Sequence, residues 1–157
     1  MKQRLYLLLI ILDLFMCSIV WLPHLNLFNT KVFIDKTGSM LPAIRPGSVI
    51  FAQKTNSYKI GDIITFQSDP ISTTHRIYKI INRNGRDFFI TKGDKNDALD
   101  NYLIPHEKII GKVKIIIPFL GYLLIFLKTH LGLYLLIFLP TLSIVIIEFK
   151  KIFNELK

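Results

Sequence analysis

The sequence is nearly without cysteine, holding only Cys17 in a chain of 157 residues. One thiol forms no internal disulfide, and this one lies inside a long apolar run, away from any aqueous substrate. A disulfide scaffold and cysteine catalysis are both excluded. The bulky Phe15 and Met16 in front of it do not match the small residues of a lipoprotein cleavage signal. No cluster of Cys and His has the spacing of a zinc site. Acidic residues are scarce too, 11 against 20 Lys and Arg, for a formal net charge of +9. Such an excess raises the question of nucleic acid, but no recognised nucleic-acid motif accompanies it. Six of those cations flank or lie within the apolar ends, and the 14 between Asn29 and Lys114 are spread among eight Asp and Glu. Anionic lipid headgroups fit that distribution and nucleic acid does not. Internal repeats and low-complexity linkers are absent as well.

What the chain has in abundance is apolar side chains, 51% of all residues, with a mean hydropathy of +0.43. That is too apolar for a soluble chain this short. The excess sits at the two ends, Leu5 to Leu22 and Ile115 to Ile147. The first run approaches the roughly 20 residues that a helix needs to cross about 30 Å of hydrocarbon. Lys2 and Arg4 in front of it also suit a cleaved signal peptide. The run leaves through Trp21, Leu22, Pro23 and His24 rather than through small residues, which favours an uncleaved anchor. Asp13 inside it is costly unless paired or neutral.

The second run is too long for one crossing and is broken by Lys128, Thr129, His130 and Gly132. It is read as an apolar segment at the membrane surface followed by a crossing helix with a kink at Pro140. A helical hairpin is the alternative. Lys2 and Arg4 at one end and Lys150, Lys151 and Lys157 at the other place both termini in the cytoplasm by the positive-inside rule. The expected organisation is an N-terminal anchor over 1–24, an extracytoplasmic β-rich domain over 29–114, a membrane-associated segment over 115–130, a transmembrane helix over 131–149 and a cytoplasmic basic tail over 150–157.

Within the middle, KVFI, SVIFAQ, DIITFQ, TTHRIYKII, DFFITK and KIIGKVKIII are short and rich in β-branched and aromatic residues, and they read as strands. Turn residues separate them at Arg45-Pro46-Gly47, Ile60-Gly61-Asp62, Asp69-Pro70, Asn82 to Gly85 and Gly93 to Asn96. The fold class is therefore mainly β, a small antiparallel domain flanked by N- and C-terminal transmembrane helices.

The stretch Thr37-Gly38-Ser39-Met40-Leu41-Pro42 couples a flexible glycine to a stiffening proline and can hold one hydroxyl in place. Alone, Ser39 is a surface serine. A base would change its meaning, and of the two histidines in the domain His75, in a strand, is held more rigidly than His106 beside a proline. His24 and His130 fall at membrane interfaces. A neutral imidazole can take a proton from an attacking hydroxyl if a carboxylate fixes its far nitrogen. The run Lys92-Gly93-Asp94-Lys95-Asn96-Asp97-Ala98-Leu99-Asp100 supplies three aspartates. Calcium is the competing use of such a run, but the spacing departs from an EF-hand loop.

The boxes TGSMLPAIRPGS, YKIGDIITF, THRI, KGDKNDALD and IIGKVKIIIPFLGY occur in the order found in signal peptidase I. The chain resembles the histidine-containing branch, which includes the catalytic subunits of the endoplasmic-reticulum complex. The likeness covers about Val32 to Tyr122 and the anchors. It implies that Ser39 is the nucleophile, that His75 stands where the classical bacterial branch has a lysine, and that Asp100 is the third partner. Asp94 would be a supporting residue, and Asp97 matches no fixed role. The Ser39 N–H and the Thr37 hydroxyl would form the oxyanion hole, Thr37 replacing the usual serine. Ser48 stands where an aspartate is common, and Gly61-Asp62 reads as a tight turn. Lys79 and Lys92 could serve a Ser–Lys dyad, but the His75-Arg76 pair fits the family better. No cofactor or metal is implied. The expected activity is removal of signal peptides from secretory preproteins by cleavage after small-x-small motifs, with the lipid bilayer and a translocon or accessory subunits as further partners. A catalytically silent membrane-tethered β-domain, acting as a binding subunit, is the alternative.

Overall fold

The computed structural model describes residues 29–155 together with Leu7, Ile10, Ile11, Leu14, Phe15 and Ser18. Most of the anchor expected over 1–24, including Asp13, Cys17 and Trp21, lies outside the described residues. The chain divides into two compact units, Pro23–Tyr122 and a second formed by Met1–Leu22 with Leu123–Lys157.

The first unit is built on strands β1 (Thr30–Ile34), β2 (Val49–Gln53), β3 (Ile63–Ser68), β4 (Ile71–Arg83), β5 (Arg86–Lys92), β6 (Ile104–Pro105) and β7 (Ile109–Ile117). They form one seven-stranded antiparallel sheet in the order β1-β2-β7-β3-β4-β5-β6. All six strands read from the sequence are present, and β4 starts two residues earlier than expected, at Ile71. The two-residue β6 carries too little pattern to be legible.

The turn between β4 and β5 is Asn84-Gly85, both at positive φ, 53° and 77°. Two such residues match the right-handed twist of the flanking strands, which is why this dipeptide closes the longest hairpin. Strand β4 also bulges at Tyr78, since Ile77 pairs with Thr91 and Lys79 with Ile90.

Alternation along the strands sends two sets of side chains inward. Tyr58, Ile64, Phe66, Ile77, Phe89, Ile104 and Ile109 form one buried cluster. Met40, Ile44 and Ile50 form another, covered by half-buried Phe33, Ile63, Val113 and Ile116. His106, read from the sequence as the less rigidly held of the two histidines in the domain, packs its ring against Tyr58 at 5.5 Å between centroids and Phe89 at 6.4 Å. A short 3-10 turn, His106–Lys108, turns it toward that core.

Strand β7 runs through Ile117, three residues into the segment assigned to the membrane surface, because Ile115, Ile116 and Ile117 pair with Phe51, Ile50 and Val49. Helices α1 (Leu120–Leu127) and α2 (His130–Glu155) follow. The break between them has a local cause. Thr129 accepts the Gly132 N–H on its hydroxyl oxygen at 3.0 Å, an N-cap for α2. A Cβ on Gly132 would fall 2.1 Å from the Phe126 carbonyl oxygen, so no other residue allows so close an approach. Helix α2 passes through Pro140 and holds Lys150 and Lys151, which the sequence reading had put in a tail. Its span His130–Asn154 is 25 residues, about 37 Å at the helical rise and enough to cross a bilayer, with a mean hydropathy of 2.2 over an 18-residue stretch. It is the one such helix among the described residues.

Candidate active site

Ser39 lies in the loop between β1 and β2, and the neck of that loop is closed by backbone bonds. Asp35 N donates to Ser48 O at 2.9 Å and Gly47 N to Asp35 O at 2.7 Å. The next residue along, Met40, is fully buried, and Ile44 N donates to Met40 O at 2.9 Å, so the serine is fixed by the core plug that follows it. From the other side Lys95 N donates to the Ser39 carbonyl at 2.8 Å. Gly93 permits that approach, because a Cβ there would meet Ser39 O at 2.8 Å and the Asn96 side chain at 2.8 Å.

His75 sits in β4 opposite Ile64 and is buried, its ring set edge-on to that of Phe66 with 6.4 Å between the centroids. Its Nε2 is 3.2 Å from Ser39 Oγ and its Nδ1 is 2.7 Å from Asp100 Oδ2. A carboxylate only accepts, so Nδ1 carries the hydrogen and Nε2 turns a lone pair to the serine. Residues 36 and 25 positions apart are thereby drawn into one line.

Asp100 is held in turn. Its N–H donates to Thr91 O at 2.9 Å, and the Thr91 hydroxyl donates to the same Oδ2 that meets His75. Thr91 escaped the sequence reading. The signal was its phase: Phe89 points inward on β5, so Thr91 must too, and a fully buried hydroxyl needs a partner.

Asp94 does not share the imidazole. Both its oxygens are taken by Arg76, Nε to Oδ1 at 2.8 Å and Nη2 to Oδ2 at 2.7 Å, while Arg76 Nη1 donates to Gly61 O at 2.8 Å. The Asp94 hydrogen bonds raise the Arg76 pKa above that of a free guanidinium, outweighing the opposite pull of partial burial. The Gly61-Asp62 turn is thus tied to the 93–100 loop. Gly61 has φ 91°, and Asp62 receives Lys112 Nζ at 2.6 Å and Lys59 N at 3.0 Å. Burial alone would raise the Asp62 pKa, but the bonds and charge from Lys112, with Lys59 N and Lys114, leave it lowered. Buried Ser48 donates to Arg45 O at 2.6 Å, so it closes a local turn.

Thr37 stands beside the serine, its Oγ1 3.2 Å from Ser39 Oγ. It also donates to Asp35 Oδ1 at 3.1 Å, and its N–H reaches the same oxygen at 2.9 Å. In front of these groups is a cleft of about 560 Å³, with Phe33, Ile34, Ile50, Ile71, Thr65 and Thr74 among its walls. Among the described residues no group of His, Cys, Asp and Glu has the arrangement of a metal site.

No family model matches the chain. Its sequence is similar to the signal peptidase complex catalytic subunit SEC11 of several yeasts. That of Komagataella phaffii is 33% identical over 134 residues, covering 73% of this chain and 78% of the relative. That of Candida tropicalis is 31% identical over 114 residues, 65% of this chain and 68% of the relative. That of Eremothecium gossypii is 32% identical over 114 residues, with the same coverage. With that similarity and the line of serine, histidine and aspartate described above, the chain belongs to the signal peptidase I family, in its endoplasmic-reticulum-type branch.

Proposed function

We propose that this chain is a membrane-associated serine endopeptidase that removes signal peptides, with Ser39 as nucleophile, His75 as general base and Asp100 as the group that fixes the imidazole. The observation that carries the assignment of roles is the continuous contact from Ser39 Oγ to His75 Nε2, 3.2 Å, and from His75 Nδ1 to Asp100, 2.7 Å. A separation of 3.2 Å is loose for a hydrogen bond to nitrogen and suits a site that tightens on substrate.

As Ser39 Oγ attacks the scissile carbonyl carbon, its proton passes to His75 Nε2 and the imidazolium is stabilised by Asp100. The carbonyl oxygen becomes an oxyanion that accepts from the Ser39 N–H, with the Thr37 hydroxyl beside it as a second donor when its hydrogen is free. His75 then gives its proton to the leaving amine, the C–N bond breaks, and an acyl group remains on Ser39 Oγ. Water enters, loses a proton to His75, and releases the acyl group as a carboxylic acid while Ser39 regains its hydrogen. Arg76 and Asp94 hold the loop that carries Asp100 against the turn at Gly61.

The substrate class is a secretory preprotein whose cut follows a small-x-small motif. A cleft bounded by Phe33, Ile34 and Ile50 beside Ser39 has room for short side chains and apolar walls to receive them. The preprotein's apolar helix stays in the bilayer, so the site works at the lipid surface. Exposed Ile115, Ile117, Phe119 and Tyr122, on the chain that leads to the apolar α2, support that placement. On this reading both termini are cytoplasmic, the β-domain is extracytoplasmic, and accessory subunits of a complex accompany the chain. The rival, a silent binding subunit, needs neither Ser39 nor His75. Cleavage of a synthetic precursor by the purified protein in detergent, with mass analysis of the products, decides between them. Ser39→Ala and His75→Ala are each expected to lose several orders of magnitude in rate while folding normally, and wild-type cleavage by either variant overturns the assignment.

A further inference from the structure

Asp35 has no part in the mechanism above, yet it lines the same cleft and its carboxylate reaches the residue next to the nucleophile. The hydrogens at this corner can be counted. A carboxylate has none to give, so the Thr37 hydroxyl hydrogen lies in the 3.1 Å contact with Asp35 Oδ1. Thr37 Oγ1 then turns only lone pairs toward Ser39 Oγ, 3.2 Å away. Ser39 has one hydrogen, with two acceptors at the same distance, His75 Nε2 and Thr37 Oγ1. While Asp35 keeps the Thr37 hydrogen, Thr37 competes with His75 for the serine proton and has nothing to donate to an oxyanion.

We infer that Asp35 is a positioning residue that acts through Thr37: its carboxylate orients the hydroxyl away from the oxyanion position and holds the free site below its full rate. The inference rests on the serine-peptidase reading given above. Two effects act in one direction here. Neutralising Asp35 loosens its hold on the Thr37 hydrogen, because an amide oxygen accepts more weakly than a carboxylate, and it also removes a negative charge from the neighbourhood of a developing negative charge. The first effect needs the Thr37 hydroxyl and the second does not, so they can be separated. Asp35→Asn keeps an oxygen where Thr37 N–H, 2.9 Å away, still finds its partner, and so preserves the turn.

The test is a double-mutant cycle with the full chain in detergent and a synthetic precursor, measuring kcat, KM and the thermal midpoint for wild type, Asp35→Asn, Thr37→Val and the pair. Asp35→Asn is expected to raise kcat about three- to tenfold with KM changed less than about twofold, a fraction of what a full oxyanion donor provides. In the Thr37→Val background the same change should raise kcat less than about twofold, the part left to charge alone. An unchanged or lower kcat in Asp35→Asn, with the thermal midpoint preserved, overturns the inference, and so does a gain of equal size with and without the Thr37 hydroxyl. Should the thermal midpoint fall, the same comparison is made with Asp35→Ser, which offers a neutral acceptor on a shorter arm, and the same outcomes decide. Failure of wild type itself to cleave the precursor would instead strike the peptidase reading.

Discussion

Replacing Gly93 with alanine would set a Cβ 2.8 Å from the Ser39 carbonyl oxygen and 2.8 Å from the Asn96 side chain. Asn96 can swing aside, but Ser39 O is backbone and is itself held by Lys95 N at 2.8 Å. Ordinary contact begins near 3.4 Å, so the 93–100 loop and the loop bearing Ser39 must part by about 0.6 Å. Overpacking of this kind costs about 1–3 kcal/mol, a fall of at least about 4 °C in thermal midpoint for a domain this size. The same displacement separates the loop bearing Asp100 from the loop bearing Ser39. With about 100-fold lost per ångström of misplacement, kcat should fall about tenfold. Gly85→Ala is the control. Gly85 has φ 77° and nothing within 4 Å of its Cβ position, so its cost is backbone strain of about 1–2 kcal/mol with kcat unchanged. The assay is thermal unfolding and precursor cleavage on the two variants side by side. A Gly93→Ala protein with wild-type kcat would refute the claim that the Ser39–Gly93 contact sets the geometry of the site.

Thr91→Val removes the hydroxyl that shares Asp100 Oδ2 with His75 and should lower kcat about tenfold with KM little changed, as steady-state kinetics would show. Asp94→Asn breaks the two-bonded pair with Arg76, and denaturant unfolding should show a loss of about 1–3 kcal/mol, since one partner is partly exposed. Asp62 has a pKa lowered in the folded state, so its stabilisation is fully present above the unfolded value of about 4 and is lost as pH falls through the folded value. The stability difference between wild type and Asp62→Asn should therefore be largest near neutral pH and shrink below pH 4, and a difference constant with pH would contradict it. Gly47→Ala directs a Cβ to 2.2 Å from the Tyr122 ring at a residue with φ 77° and should destabilise more than Gly85→Ala in the same unfolding assay.

The strands were legible where side chains alternate and turn residues punctuate them, as at Ile63–Ser68 and Asn84-Gly85. Ile104–Pro105 was not, because two residues carry no period. The break in the last apolar region was marked by Lys128, Thr129 and Gly132, but its mechanism, a threonine cap beside a glycine that admits the Phe126 carbonyl, needed coordinates. Ser39, His75 and Asp100 could be named from the order of the boxes. Their mutual distances depend on the β3–β4 register and the fold of the 93–100 loop, which no local pattern specifies. Asp94 shows the same limit: its partner, Arg76, lies next to His75 in the chain yet on the opposite side of the strand, and only the bend at Gly61 brings a carbonyl to it as well. Asp35 had no signal at all, since an aspartate at a strand end is ordinary until its oxygen is found on the Thr37 hydroxyl beside Ser39.

The most direct test of the central claim is to quench wild-type protein with acid during turnover of a synthetic precursor and to map the chain by mass spectrometry. The account predicts an acyl group on Ser39, adding the mass of the precursor's N-terminal fragment less a water, and its absence from His75→Ala. An adduct on any other residue, or precursor cleavage at the wild-type rate by a chain lacking the Ser39 hydroxyl, would contradict it.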